Sequence, residues 1–341
     1  MPMKKVICTH PWTHMSIMSN GKVRTCCEAW TKVIIGNIKN QSIKEIWNGQ
    51  AIQEIRKRIL NNEWQKVCYQ SCPYIIKYKK NKMDPDDLDN KELSQDIKNN
   101  KITTDIFPEA YCLANWSLCN LKCIMCYNSC RKEAEKKPDY TKKMLKDIIS
   151  HIDDCRLLIL CGNGDPFVRT DSMELMTEYE WKKINPKLSF WITTNGNLFN
   201  QKNWNKIKHN NFKGVNISID AATKKTYEKI RVGGNWDVLM RNLKFIKSLR
   251  EAGKIENMHI NFCVMRGNYK EMLLFVELGK KLKVDRIIFT KIRGEHGKEN
   301  IFELKDETCL KKIKNIINNI YIEDKSKILD ITGFSEMIIK I

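Results

Sequence analysis

Long apolar runs are missing from this 341-residue sequence, and none approaches the roughly 18 to 20 residues of a membrane-spanning helix. The first six residues also lack the apolar stretch of a secretory signal. We therefore expect a cytoplasmic protein with no membrane partner. A hydrophobic content of 42% excludes intrinsic disorder and suffices for one large or two modest domains.

Acidic residues are also scarce. Asp and Glu number 40 against 60 Lys and Arg, and the resulting net charge of +20 by itself favours a polyanionic partner such as nucleic acid. However, Lys outnumbers Arg 48 to 12, and Lys, Asn and Ile are all abundant, as expected of an A+T-rich coding sequence. Nucleic acid is therefore the weaker of the partners we expect, although residues 1–80 alone carry a net +10.

Cysteine is abundant, with 14 residues. A cytoplasmic protein keeps few disulfides and uses clustered thiols for metal binding or redox chemistry. One group comprises Cys8, Cys26, Cys27, Cys68 and Cys72, and a second comprises Cys112, Cys119, Cys123, Cys126 and Cys130. Two groups of thiols predict two centres.

Residues 1–80 form the first predicted domain. Two extended runs flank Asn20-Gly21, a strong hairpin signal, and residues 42–61 have helical apolar spacing with Ser42 and Glu45 as a capping box. A pair of cysteines follows this hairpin and helix. Residues 81–108 are polar and aperiodic, which predicts a linker.

From residue 109 to about 300, strand-like and helical segments alternate, and residues 301–341 read as helices without a motif. Alternation of this kind predicts an α/β fold with a parallel sheet, in which ligands gather at the C-terminal ends of the strands. The six predicted strands are residues 111–118, 156–161, 188–194, 215–220, 259–264 and 286–291.

Cys119, Cys123 and Cys126 follow the first of these strands with the spacing C-x3-C-x2-C. Three thiolates on a four-iron cluster leave one iron open to bind another ligand. A structural zinc site needs four closed ligands, so it would have to recruit Cys112 or Cys130. Both readings stay open at this point.

These cysteines and the aromatic Tyr127 resemble the signature loop of the radical S-adenosylmethionine (radical SAM) superfamily, and the resemblance extends over residues 110–292. It implies a partial (β/α)6 TIM-like barrel as the core. It also implies a 4Fe-4S cluster on the three cysteines, S-adenosylmethionine on the open iron, and Tyr127 beside the adenine.

Further motifs occur in the family's order. Residues 160–166 resemble its glycine-rich motif, so Gly162, Gly164 and Asp165 would receive the methionine end of the cofactor, although Asn163 and Asp165 depart from the usual Gly-Gly-Glu-Pro. The resemblance also implies cofactor contacts for Thr193, Asn195, Ser218 and Arg231. A surface position is the alternative for Arg231. Strand alternation predicts Thr193 with Asn195, and Ser218 with Asp220, on one face each.

The first group of cysteines resembles the truncated SPASM, or twitch, domain over residues 8–73, although that domain more often follows the barrel. The resemblance implies an auxiliary 4Fe-4S cluster on Cys8, Cys26, Cys68 and Cys72. The resemblance favours Cys26 over its neighbour Cys27, because Cys26 lies five residues after the turn glycine, as in the family pattern. A zinc knuckle with the same thiols is the alternative. His10 and His14 could also serve as ligands, but we expect packing or hydrogen bonding beside Trp12 for them.

The sequence therefore predicts a radical SAM oxidoreductase or maturase that abstracts hydrogen from a peptide side chain or a small carbon substrate. An auxiliary cluster can bind substrate through an open iron or accept an electron, and four available cysteines favour a closed cluster that accepts or relays an electron. Flavodoxin or ferredoxin would be the low-potential donor. Two alternatives remain: an RNA-modifying radical SAM enzyme, motivated by the +20 charge, and a non-catalytic iron-sulfur binding protein.

Overall fold

A computed structural model of the chain describes residues 8–70, 72, 74, 85–126, 136–161, 163–292, 294, 296–323 and 328–334. Within this part, no helix combines the length and apolar character needed to cross a membrane. The chain divides into two compact units.

The first unit contains Met1–Trp116, Lys137–Leu160 and Trp181–Leu188. Its strands are β1 (His14–Met18), β2 (Lys22–Arg24), β3 (Gly36–Asn37), β4 (Ala110–Ala114) and β5 (Leu157–Leu160), in the order β5-β4-β1-β2-β3. β1 is parallel to β4, β4 is parallel to β5, and the β1–β2 and β2–β3 pairs are antiparallel. Its α-helices are His10–Thr13, Ile43–Trp47, Gln50–Leu60, Lys91–Lys98, Thr141–Ile149 and Trp181–Ile184.

The predicted hairpin and capping box are confirmed in this unit. Gly21 turns the chain between β1 and β2 with φ +79°, and the Ser42 hydroxyl accepts from the backbone N–H of Glu45. The single helix predicted for residues 42–61 is wrong, because it breaks at Gly49 into Ile43–Trp47 and Gln50–Leu60. A side chain at Gly49 would lie 2.8 Å from the Glu45 carbonyl oxygen, so this close approach requires glycine.

The segment predicted as a linker contains the helix Lys91–Lys98. The Asn90 side chain caps this helix, and Leu93 and Ile97 are buried. Two apolar residues are too few to give a clear helical period, which is why the sequence pattern does not reveal the helix. The domain limits themselves remain a prediction, and β1 and β4 from two of the predicted domains lie within one compact unit.

The second unit contains Ser117–Lys136, Cys161–Glu180 and Ser189–Ile341. Its strands, in spatial order, are β6 (Ser189–Thr194), β7 (Phe212–Ser218), β8 (Met258–Val264), β9 (Arg286–Lys291) and β10 (Leu329–Asp330), and every neighbouring pair is parallel. Its α-helices are Thr170–Thr177, Gln201–Ile207, Lys224–Ile230, Trp236–Glu251, Met272–Leu282 and Glu307–Glu323. The α/β class with a parallel-strand sheet is therefore confirmed.

Burial alternates along β6 and β8, so one face of these strands is fully buried and the other is only partly buried. Ile192, Ile217, Ile260 and Phe262 are fully buried, and Phe262 packs against Phe275 of the helix Met272–Leu282 with ring centroids 4.8 Å apart. The other face is only half-buried. This unequal burial leaves one face of the strands open for ligands.

Candidate functional site

The loop that carries Cys119, Cys123 and Cys126 is held by backbone hydrogen bonds. The Lys122 N–H donates to the Val232 carbonyl at 2.8 Å, and the Ile124 N–H donates to the Ile230 carbonyl at 3.0 Å. These two bonds dock the loop on the end of the helix Lys224–Ile230. The positions of the thiols are therefore fixed by main-chain contacts rather than by a disulfide.

Cys119 and Cys123 lie close enough to the other sulfurs of the loop for neighbouring charges to affect their ionisation. Desolvation raises the pKa of Cys119 to about 11, and the charges of Cys123 and Cys126 act in the same direction. Burial also raises the pKa of Cys123. A thiolate is the form that binds iron, so loading this loop with metal has to release protons.

Asn195 connects this loop to the glycine-rich motif. Its Nδ2 donates to Asn120 Oδ1 at 2.8 Å and lies 3.8 Å from Cys119 Sγ. Its backbone N–H donates to Asp165 Oδ2 at 2.9 Å. The structure thus brings together three predicted site residues from three separate segments.

Gly164 and Asp165 make close contacts with the residue before Cys119. Gly164 has φ +74°, and a side chain there would lie 2.1 Å from the Leu118 carbonyl oxygen. The Asp165 carboxylate, in place of the family's glutamate, accepts from Thr194 Oγ1 at 2.8 Å and from the Phe167 N–H at 3.1 Å. Its hydrogen bonds within the protein give Asp165 a role in holding the loops.

Arg231 is largely withdrawn from solvent, which disagrees with the alternative of a surface position. Its side chain is 11% exposed, its Nη2 forms an ion pair with Asp220, and its Nη1 lies 3.6 Å from Cys123 Sγ. Burial opposes the charge, but the negative charges of Asp220 and Cys123 outweigh it and raise the pKa of Arg231. Arg231 therefore places a fixed positive charge against one of the three sulfurs. Its contact with the cofactor carboxylate remains a prediction.

The prediction that Ser218 and Asp220 share a face fails because β7 ends at Ser218. Asp220 adopts a left-handed backbone with φ +62° and is fully buried, whereas Ser218 is half-buried. Asp220 Oδ1 accepts from the Cys263 N–H at 2.6 Å. Alternation holds only within a strand, and the chain has already turned at Asp220.

The half-buried positions of β6, β7 and β8 form one set of uncharged side chains. We name them the uncharged face: Ser189, Trp191, Thr193, Asn216, Ser218, His259, Asn261 and Cys263. Thr193 pairs with Asn216, Asn216 pairs with His259, and Ser218 pairs with Asn261. Burial lowers the pKa of His259 to about 4, so this residue is neutral at pH 7.

The second group of cysteines lies in the first unit, where four of them line one cavity. Cys8, Cys26, Cys68 and Cys72 share this cavity with Trp30, Thr31, Ile55 and Ile59. Burial raises the pKa of Cys8 and of Cys68 to about 12 each, and the Cys72 charge contributes to both shifts. No three His, Cys, Asp or Glu side chains of the described part are grouped so as to hold a single metal ion.

Local pairing positions these thiols. The Thr31–Cys68 bridge and the Tyr69 N–H bond to the Trp30 carbonyl, at 2.9 Å, join the segment bearing Cys68 to the segment after Cys26. Cys26 lines the cavity while Cys27 is exposed, which supports Cys26 as the ligand. The expected hydrogen bonding of His10 is confirmed, since its Nδ1 lies 3.4 Å from Cys26 Sγ.

The remaining predicted site residues differ in what the structure shows of them. Tyr127 and Gly162 lie outside the described residues. Thr193 and Ser218 are half-buried near the C-terminal ends of β6 and β7, and their contacts with the cofactor remain a prediction. Sequence reasoning missed Asn120, whose position beside Cys119 was the only available signal.

Comparisons with known proteins match the two thiol-bearing regions to two domain families. The iron-sulfur cluster-binding SPASM domain matches residues 8–73, and the radical SAM superfamily matches residues 116–278. A protein of Methanococcus maripaludis named Probable GTP 3',8-cyclase is 24% identical over 215 residues, which cover 62% of this chain and 69% of that protein. Mycofactocin maturase MftC of Mycobacterium tuberculosis is 27% identical over 180 residues, 50% of this chain and 44% of MftC.

A solved structure, Streptococcus suis SuiB bound to precursor peptide SuiA, superposes with a TM-score of 0.50 at 16% identity, over 87% of this chain and 68% of that chain. This likeness concerns the fold and agrees with the predicted partial TIM-like barrel. The two matched domains indicate 4Fe-4S clusters and S-adenosylmethionine as cofactors. Residues 116–278 thus belong to the radical SAM superfamily of enzymes, and a SPASM domain precedes them in the chain.

Proposed function

We propose that this enzyme cleaves S-adenosylmethionine and abstracts hydrogen from a peptide side chain, and that an auxiliary cluster accepts the electron that the substrate radical then loses. The observation that carries the proposal is the presence of two separate sets of thiols. One is a set of three on a docked loop, and the other is a set of four around a cavity.

The three-thiol loop fits a 4Fe-4S cluster with an open iron. Cys119, Cys123 and Cys126 would hold it, with Asn195 beside the first sulfur and Arg231 beside the second. When bound together, the cluster and S-adenosylmethionine supply the electron transfer that splits the sulfonium and yields a 5′-deoxyadenosyl radical. The arginine cation offsets part of the negative charge that three thiolates bring to the site.

The uncharged face supports a peptide substrate. Its amide and hydroxyl side chains can donate to and accept from peptide bonds, whereas a nucleoside triphosphate is normally held by Arg and Lys. Asn216 Oδ1 is buried and has no hydrogen-bond partner among the described residues, so a substrate N–H would satisfy it. The maturase MftC and the peptide-bound SuiB among the similar proteins support the same substrate class.

The four-thiol cavity fits the auxiliary cluster. Cys8, Cys26, Cys68 and Cys72 would saturate its irons, leaving no open position for substrate. Such a cluster suits one-electron acceptance. The substrate radical would lose one electron to this site and one proton to solvent, which completes a two-electron oxidation.

Anaerobic iron analysis is the first test. We expect about eight irons per chain, about four after Cys119, Cys123 and Cys126 are replaced by Ala, and 5′-deoxyadenosine from the native enzyme under strong reductant. Cys26→Ala against Cys27→Ala is the matched pair for the second cavity, and only the first should lose iron. Zinc in either site, or no cleavage of S-adenosylmethionine by the iron-loaded enzyme, would overturn the proposal.

A further inference from the structure

His10 directs its ring at one sulfur of the four-thiol cavity. Its ring Nδ1 lies 3.4 Å from Cys26 Sγ, and His10 itself lines the cavity. A sulfur bound to iron carries no proton, so it can only accept in this contact, and the ring nitrogen is the donor. His10 therefore contacts one member of the expected ligand set from outside that set.

The position of the His10 ring is fixed from several sides. The ring packs against His14, with centroids 4.0 Å apart, and meets the Tyr74 ring edge-on at 4.3 Å. Only 9% of the residue is exposed. A ring confined in this way keeps Nδ1 on the sulfur without support from solvent.

The backbone of His10 is braced as well. Arg56 donates from Nε to the Pro11 carbonyl at 2.9 Å, and its guanidinium lies over the Trp47 ring at 4.8 Å. Arg56 is fully buried and also donates to the Ile102 carbonyl at 2.9 Å. This arginine ties the short helix His10–Thr13 to the body of the unit, so the residue that bears the ring donor is anchored by its neighbour in the chain.

We propose that His10 is a positioning residue that raises the reduction potential of the auxiliary cluster by donating a hydrogen bond from its ring to the Cys26 sulfur. The physical reason is that donors aimed at a cluster sulfur offset negative charge, which favours the reduced form. The inference rests on the proposed function, because a more positive potential makes the site a better acceptor for the electron lost by the substrate radical.

The test is an anaerobic redox titration of the iron-loaded enzyme, followed by electron paramagnetic resonance. S-adenosylmethionine alters the signal of the cluster that binds it, so the unaltered signal reports the auxiliary cluster. His10→Phe keeps an aromatic ring at this position but removes the ring donor. His10→Gln restores a side-chain N–H, and His14→Phe changes the neighbouring ring, whose Nδ1 is hydrogen-bonded to Thr13 Oγ1.

We expect the auxiliary midpoint potential to shift to more negative values in His10→Phe and to return towards the native value in His10→Gln. The radical SAM cluster and His14→Phe should keep native potentials. With its substrate peptide, His10→Phe should form less product per 5′-deoxyadenosine released. Iron content and melting temperature, measured on each variant, identify any that fails to fold.

Two results would overturn the inference while leaving the proposed function intact. One is an unchanged auxiliary potential in a fully loaded His10→Phe variant. The other is loss of the auxiliary cluster in a folded His10→Phe variant, which would make the histidine a ligand. If the native enzyme binds no second cluster at all, the proposed function fails together with the inference.

Discussion

At the scale of single residues, Arg231 contacts two buried acceptors, which are the Asp220 carboxylate and the Cys123 sulfur. Removal of one partner from a buried ion pair leaves an uncompensated charge and costs roughly 3–5 kcal/mol. We expect Arg231→Met to lower the anaerobic melting temperature strongly. Asp220→Asn in the same chain should recover at least half of the loss, because it removes the stranded charge.

The two single variants and the double variant together form a thermodynamic cycle. The measured quantity is the decrease in melting temperature of each variant. If the decrease in the double variant equalled the sum of the two single decreases, a direct coupling between the two side chains would be contradicted. Iron content, measured on all three, separates the loss of the ion pair from a loss of cluster.

Gly164 is the second residue where the structure makes a sharp prediction. Gly164 and Gly253 both have positive φ, at +74° and +65°, but an added side chain meets the Leu118 carbonyl at Gly164 and nothing within 4 Å at Gly253. We expect Gly253→Ala to lower the free energy of unfolding by about 1–2 kcal/mol, because alanine is strained in a left-handed backbone conformation. Gly164→Ala should cost clearly more and weaken S-adenosylmethionine binding. Equal decreases in melting temperature for the two variants would show that the backbone at Leu118 moves aside without strain.

Sequence reasoning at this scale succeeds where the chemistry is local. The C-x3-C-x2-C spacing predicts the three-thiol loop because all three ligands lie within eight residues. The contact of Arg231 with Cys123 joins positions 108 residues apart, and it depends on the turn at Asp220. No spacing rule contains that information.

At the scale of elements, three strands pack around His259. The Trp191 ring from β6 would meet a side chain at Gly214 of β7 within 2.4 Å, and it contacts His259 of β8 edge-on at 4.9 Å. Burial lowers the pKa of His259 to about 4, with Arg286 adding to the shift. The folded protein therefore resists protonation that the unfolded chain accepts below its pKa of about 6.5.

Stability should consequently fall as pH drops from about 6.5 towards 4, because the unfolded state binds the extra proton. At pH 5.5 we expect the wild type to lose roughly 1 kcal/mol relative to pH 7 through this group, and His259→Gln to lose less. Anaerobic melting curves over this range are the measurement. The same pair at pH 7, where both side chains are neutral, is the control, and parallel pH profiles would contradict the assignment.

Elements were predictable where caps and periods are regular. The Ser42–Glu45 capping box and the strand Arg286–Lys291 agree with the sequence prediction. The break at Gly49 was not predicted, because it depends on contact with the Glu45 carbonyl rather than on the apolar period. The helix Lys91–Lys98 was missed for the opposite reason, since tertiary burial of Leu93 and Ile97 stabilises a weakly patterned segment.

At the scale of the whole molecule, the two sets of thiols belong to different compact units. We therefore expect the two chemical steps to separate. A variant with Cys68→Ala and Cys72→Ala should still release 5′-deoxyadenosine under strong reductant but should not complete oxidation of a peptide substrate. Full turnover by that variant would remove the electron-accepting role of the second site.

The parallel pairing of β1 with β4 has a consequence for synthesis of the chain. His14 leaves the ribosome 96 residues before Ala110, its partner in the register. At a translation rate of about 5–20 residues per second, β1 waits roughly 5 to 20 s with one edge unsatisfied. During that interval the nascent hairpin presents unpaired backbone groups to any other emerging chain. Iron inserted before Ala110 is synthesised would therefore bind a unit whose sheet is still incomplete.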